Sequence, residues 1–216
     1  MMHFTAPGLE RERLAARLAR DVPPGSYVNL GIGMPTLVAS HLDPEQDVVL
    51  HTENGMLGMG PQAEGDAIDL DLVNAGKVPV TETPGCSYFH HADSFAMMRG
   101  GHLDLCVLGG LQVSVHGDLA NWHTGAPDAI PAVGGAMDLA IGARQVFVMM
   151  DLFTRDGACK IVRELTYPVT GLGCVARVYT DRAVLEIAPG APRVLETFGC
   201  TLDELRAATG LELAAP

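Results

Sequence analysis

The sequence predicts an α/β fold: one domain over residues 1–216, with a mostly parallel central sheet and added antiparallel strands. In the first half, apolar runs of strand length alternate with helically spaced apolar residues, the pattern of parallel strands joined by crossovers. After Gln145, strand signals follow one another with only turns between them, as antiparallel additions do. Hydrophobic residues make up 48% of the 216 positions and charged residues 19%, enough apolar surface for one large core.

Residues 10–22 set Leu14, Ala15 and Leu18 on one helical face, and Pro23-Pro24-Gly25 stops that helix. Residues 27–36 then read as strand, glycine turn and helix start, with Leu37, Val38 and Leu42 forming the next helical face. The third glycine of a dinucleotide fingerprint is replaced by Thr36, so Gly31 and Gly33 are read instead as backbone N–H donors for a carbonyl oxygen in the crevice. Residues 61–71 are acidic and turn-rich, residues 70–74 short and strand-like, residues 77–83 a strand, and Pro84-Gly85 a turn. A short helix follows over residues 93–99, capped by Asp93, stopped by Gly100-Gly101, and carrying Phe95 and Met98 toward the core.

Residues 103–108 form a compact apolar strand broken by Gly109-Gly110, and Val113 and Val115 alternate into a turn at Gly117. Residues 127–133 are a loop rich in Pro and Ala. Gly134-Gly135 opens a helix whose first N–H groups are accessible to an anion or oxyanion. Strands are expected over residues 146–150, 160–164, 175–180, 183–187 and 193–198, with Arg155-Asp156-Gly157 and Pro189-Gly190 as turns. Thr201-Leu202-Asp203-Glu204 is a capping box for a last helix ended by Gly210.

Residues 48–61 concentrate the chemistry. The apolar run Val48-Val49-Leu50 stops at Asn54-Gly55, a dipeptide suited to φ > 0, so Glu53 sits where a strand becomes a loop. A side chain leaving the carboxyl end of a strand in an open α/β sheet faces the crevice above the sheet. Gly55, Gly58 and Gly60 leave the surrounding backbone bare, which makes Glu53 a candidate nucleophile; the plainer alternative is a solvated charge beside a turn.

The formal net charge of −12 argues against nucleic acid or an anionic membrane as partner. No run approaches the roughly 18 apolar residues of a membrane span. Five cysteines without Cys-x-x-Cys spacing read as reduced thiols of a cytoplasmic protein, and the scattered histidines predict no metal.

His51-Thr52-Glu53-Asn54-Gly55-Met56-Leu57-Gly58 resembles the Ser-Glu-Asn-Gly signature of the B (beta) subunits of class I CoA-transferases, with Thr52 keeping the hydroxyl of the usual Ser. Residues 29–36, 93–102, 112–122, 134–138 and 201–205 resemble the same family in the same order, so the likeness covers nearly the whole chain. The resemblance implies an open three-layer α/β/α domain of the CoA-transferase (sugar-phosphate-isomerase-like) type. It also implies transfer of CoA through a glutamyl-CoA thioester on Glu53, with coenzyme A as substrate and no resident cofactor. A CoA-transferase A (alpha) chain as partner, in an AB or A2B2 assembly, would complete the site.

Residues 87–122 and 130–137 resemble most closely the members that use succinyl-CoA and 3-oxoadipate. In that setting Asn54 and Gly55 are expected to set the turn that aims Glu53, and Gln112 and Asn121 to hold polar substrate atoms. Gly134-Gly135 resembles the family's mobile glycine loop near the thiol end of CoA. Three alternatives stay open: acetoacetate or another 3-oxoacid as acceptor, an acyl-CoA hydrolase on the same scaffold, and a non-catalytic sensor or assembly component. Release of CoA without an acceptor marks the hydrolase, and an intact function in Glu53→Gln marks the sensor.

Overall fold

A computed structural model describes residues 4, 6–126, 128, 130–131 and 133–216. Helix α1 (Arg11–Ala19) buries Leu14, Ala15, Leu18 and Ala19 along one face and leads to strand β1 (Tyr27–Leu30). The next segment, Met34–His41, winds as a 3₁₀ helix where the apolar spacing predicts an ordinary one. Both the N–H and the hydroxyl of Thr36 donate to the Gly33 carbonyl, at 3.1 and 2.7 Å, which tightens the first turn. Strand β2 (Val49–Thr52) runs parallel to β1, and β3 (Met56–Gln62) returns antiparallel to β2.

Strand β4 (Val80–Tyr88) departs from expectation by running straight through Pro84-Gly85. It lies at the sheet edge, where a missing N–H is tolerated, and its register with β3 jumps from Met59–Glu82 to Leu57–Ser87, so the proline sits in a bulge. Residues 70–74 form turns with one bridge, Val73–Pro79, and no strand of their own. Helix α2 (His91–Arg99) begins earlier than predicted because His90, not Asp93, caps it: His90 Nδ1 accepts from the Ala92 N–H at 3.1 Å.

Strand β5 (Leu105–Gly109) is followed by the short β6 (Gln112–Ser114) and β7 (Leu119–Ala120), then helix α3 (Ala136–Gly142) and strand β8 (Gln145–Met149). Of the predicted loop over residues 127–133, Pro127, Ala129 and Ala132 lie outside the described residues. Strand β9 (Ile161–Val162) is shorter than the predicted strand and pairs in parallel with β6. Strands β10 (Val175–Tyr179), β11 (Ala183–Glu186) and β12 (Arg193–Thr197) precede helix α4 (Leu202–Thr209), whose Thr201–Glu204 capping box and left-handed Gly210 match expectation.

Among the described residues a nine-stranded sheet has the order β12-β11-β10-β8-β5-β1-β2-β3-β4. Its five central strands, β10, β8, β5, β1 and β2, are parallel, and an antiparallel pair extends each side. Alternate side chains feed two cores: Leu105, Val107, Phe147 and Met149 pack with α1, while Cys106, Leu108, Val146 and Val148 pack on the opposite face with Met98 of α2 and Leu139 of α3. The second outer layer also carries the small β7-β6-β9 sheet. Because β2 lies on one side of β1 and β5 on the other, the chain changes direction at β1, which opens a crevice above the carboxyl ends of these strands. Among the described residues no helix is long and apolar enough to cross a membrane.

Candidate active site

Glu53 is the first residue beyond β2, half-buried, at the start of the turn into β3. Thr52 anchors this turn: its carbonyl accepts from the Gly55 N–H and its hydroxyl from the Met56 N–H, each at 3.1 Å. Gly55 takes φ +116°, and a Cβ there would lie 2.2 Å from the Phe89 carbonyl oxygen, so only glycine fits. Asn54 is exposed, lies outside the cavity lining, and donates from its amide to the Val73 carbonyl at 2.8 Å, tying the turn to the neighbouring loop.

The crevice is a cavity of about 370 Å³, lined by Glu53 together with Gly31, Gly109, Gly110, Asn121, Gly134 and Gly135 and by apolar side chains including Ile32, Met34 and Val133. Gly135 presses directly against the carboxylate: a Cβ there would lie 2.5 Å from Glu53 Oε2 and 3.2 Å from Phe95 Cζ. Gly134 adopts φ +48°. The N–H groups of these two glycines donate to no acceptor among the described residues. Helix α3 has only seven residues, so what the loop contributes here is bare backbone more than a helix dipole.

The remaining expected site residues divide. Gly31 lines the cavity, but its N–H donates to the Val107 carbonyl at 2.8 Å, extending the β1–β5 ladder, so it is not a free oxyanion donor. Gly33 is exposed, lies outside the cavity lining, and shapes the entry to the 3₁₀ segment with φ +96°. Gln112 follows the lining residue Leu111 but is itself outside the lining: its Oε1 accepts from the Thr166 N–H, the Thr166 hydroxyl and the Tyr167 N–H, and its Nε2 donates to Thr166 Oγ1. Asn121 does line the cavity, with its amide engaged by the Gly109 carbonyl at 3.2 Å and the Thr170 hydroxyl at 2.7 Å.

Three buried polar residues beneath Glu53 are not singled out by the sequence: Asn29, His51 and Ser94, which are 3%, 2% and 0% exposed. For Asn29 and His51 the only signal is a polar side chain among the apolar residues of a strand, in Tyr27-Val28-Asn29-Leu30 and Val49-Leu50-His51-Thr52; Ser94, on helix α2, carries none. Asn29 Nδ2 lies 3.2 Å from the His51 carbonyl oxygen and 3.0 Å from His51 Nδ1; His51 Nε2 lies 3.0 Å from Ser94 Oγ, which donates to the Thr52 carbonyl at 3.3 Å. Burial holds the imidazole well below its ordinary value, at about 4, so it is neutral at pH 7.

No ion pair among the described residues involves Glu53. A carboxylate on the wall of a partly apolar cavity, with bare backbone against it and no ion-pair partner among the described residues, can attack an activated carbonyl brought into that cavity.

The family described as Coenzyme A transferase matches residues 11–197 of the chain. The chain is 56% identical over 206 residues to the B subunit of 3-oxoadipate CoA-transferase from Acinetobacter baylyi, covering 95% of each. It is 59% identical to the protein of the same name from Pseudomonas putida, covering 95% of this chain and 96% of that one. Among solved structures, an acyl-CoA transferase apoenzyme from Escherichia coli O157:H7 matches 96% of this chain with a TM-score of 0.72 at 20% identity, a likeness of fold. This chain spans 42% of that longer one.

Proposed function

The chain belongs to the Coenzyme A transferase family, and on that premise we propose that it is the component that moves CoA from succinyl-CoA to 3-oxoadipate, with Glu53 as the covalent nucleophile. The observation that carries the role of Glu53 is its carboxylate, set at the end of a central parallel strand with Gly135 packed against it on the wall of the cavity.

Glu53 attacks the thioester carbonyl of succinyl-CoA, and the C–S bond breaks to give a mixed anhydride and CoA thiolate. The thiolate then attacks the glutamyl carbonyl of the anhydride, releasing succinate and leaving a glutamyl-CoA thioester. The carboxylate of 3-oxoadipate attacks that thioester, expelling thiolate and forming a second anhydride. The thiolate takes the acyl group of the acceptor, which frees Glu53. One thioester replaces another, so the sequence balances without ATP or an electron carrier. Water must be excluded throughout, because hydrolysis of either intermediate discards the activated acyl group.

A partner of the family's A (alpha) type fits this site. Exposed Ile32, Val133 and Met137 lie beside the cavity, which is lined by no Lys or Arg among the described residues, so a partner can both cover it and bring cations for CoA phosphates and dicarboxylates. The direct test is the intact mass of the chain, paired with its alpha partner, after brief exposure to succinyl-CoA without acceptor and an acid quench. The expected gain is CoA minus water, mapped to Glu53 and absent in Glu53→Gln. An unchanged mass with CoA accumulating would replace the transferase with a hydrolase, and full turnover by the chain alone would remove the partner.

A further inference from the structure

The geometry points to His51 as a positioning residue for Glu53, acting through a buried relay from Asn29 on β1 across β2 to Ser94 on α2; this rests on Glu53 being the nucleophile proposed above.

The direction of each hydrogen bond in the relay is forced by its two ends. The His51 carbonyl oxygen can only accept, so the Asn29 atom 3.2 Å from it is the amide nitrogen, a donor. That nitrogen's second hydrogen points at His51 Nδ1 at 3.0 Å, so Nδ1 accepts and carries no proton. The proton therefore sits on Nε2 and is donated to Ser94 Oγ at 3.0 Å. Ser94 then donates its own hydrogen to the Thr52 carbonyl at 3.3 Å. One tautomer of a neutral imidazole accounts for all four contacts, and burial favours that neutral form.

The last acceptor is what links the relay to the chemistry. The Thr52 carbonyl belongs to the peptide bond that begins Glu53, and the same oxygen receives the Gly55 N–H that closes the turn. Helix α2 also holds the opposite side of the gap: Phe95, next to Ser94, abuts Gly135, and Arg99 pairs with Asp138 of α3 at 2.6 Å. Ser94 thus fixes the strand end bearing Glu53 while Phe95 and Arg99 fix the glycine loop facing it. Loosening the relay at Ser94, which lines neither the cavity nor the small pocket behind Glu53, frees the carboxylate relative to the loop, so attack geometry suffers and substrate binding does not.

The test compares wild type, Ser94→Ala and His51→Gln, each paired with the alpha partner. Folded fraction is followed by circular dichroism, steady-state kinetics give kcat and KM, and single-turnover mass spectrometry follows CoA attachment to Glu53 from saturating succinyl-CoA. We expect Ser94→Ala to lower kcat and the attachment rate about tenfold or more, with KM for succinyl-CoA within about twofold and the folded fraction unchanged. His51→Gln, which keeps a donor toward Ser94 and loses the Nδ1 acceptor, should fall between wild type and Ser94→Ala. Wild-type attachment rates in both folded variants would overturn the inference, as would losses that only track the unfolded fraction or that raise KM alone. Failure of wild type itself to acquire CoA at Glu53 would overturn the nucleophile beneath it, and is distinguished by being present before any substitution.

Discussion

The Glu53 carboxylate packs so tightly against Gly135 that a methyl group on residue 135 would stand 2.5 Å from Glu53 Oε2, inside van der Waals contact. The backbone of Gly135, at φ −88° and ψ 7°, is open to alanine, so the conflict is with side chains: chiefly the carboxylate, while Phe95 Cζ, 3.2 Å from the added methyl, has only to give slightly. Gly135→Ala should therefore lower kcat about a hundredfold by displacing Glu53, with a melting temperature within a few degrees of wild type. Steady-state kinetics beside thermal unfolding check this, and undiminished turnover would mean that Glu53 reacts from another position.

Gly55 presents the reverse case. Alanine there must accept φ +116° and would place its Cβ 2.2 Å from the Phe89 carbonyl oxygen, a backbone atom held by its own chain. Gly55→Ala should cost roughly 3 kcal/mol or more of folding stability, read as a lower urea midpoint, with activity lost alongside structure. A midpoint equal to that of wild type would show that the turn over Glu53 and Asn54 relaxes freely.

His51 makes stability depend on pH in a definite sense. Its folded imidazole titrates near 4, below the ordinary histidine value, because burial disfavours the charged form. Between about pH 6.5 and pH 4 the unfolded chain binds a proton that the folded one refuses, so stability falls as the pH falls through that window and is complete above it. The full contribution is roughly 3 kcal/mol, and replacing the imidazole in His51→Gln removes it. Urea unfolding from pH 7 to pH 4.5 should show a shallower decline for His51→Gln than for wild type. Parallel declines would contradict a neutral, buried His51.

Much of this molecule is legible in its sequence where one local interaction decides the outcome. The capping box at Thr201 and Glu204, the left-handed Gly210 and the strand end before Asn54-Gly55 each depend on residues within a few positions of one another. The strand through Pro84 is hidden from local reading because edge position, a property of the whole sheet, decides whether a proline is tolerated. The α2 cap escapes it because an imidazole at His90 does what an aspartate usually does. In the site, Glu53, Gly134 and Gly135 come together, whereas Gln112 turns away to a loop more than fifty residues on. The Asn29–His51–Ser94 relay joins two strands and a helix, and no local spacing encodes it.

Gln112 yields a prediction opposite to a binding role. Three donors, the Thr166 N–H, the Thr166 hydroxyl and the Tyr167 N–H, converge on its Oε1, whereas its Nε2 makes one bond, to Thr166 Oγ1. Gln112→Ala strands all three donors at a partly exposed site and should destabilise the chain by about 1–2 kcal/mol, with KM for both substrates within about twofold. Gln112→Glu keeps an acceptor oxygen for the same donors and gives up only the amide's own bond, so it should recover most of that loss at pH 7. Guanidinium unfolding and steady-state kinetics on the two variants separate the roles. A large rise in KM in Gln112→Glu, with stability restored, would return Gln112 to the substrate; restored stability with unchanged KM fixes it as the clasp between β6 and the segment at Thr166.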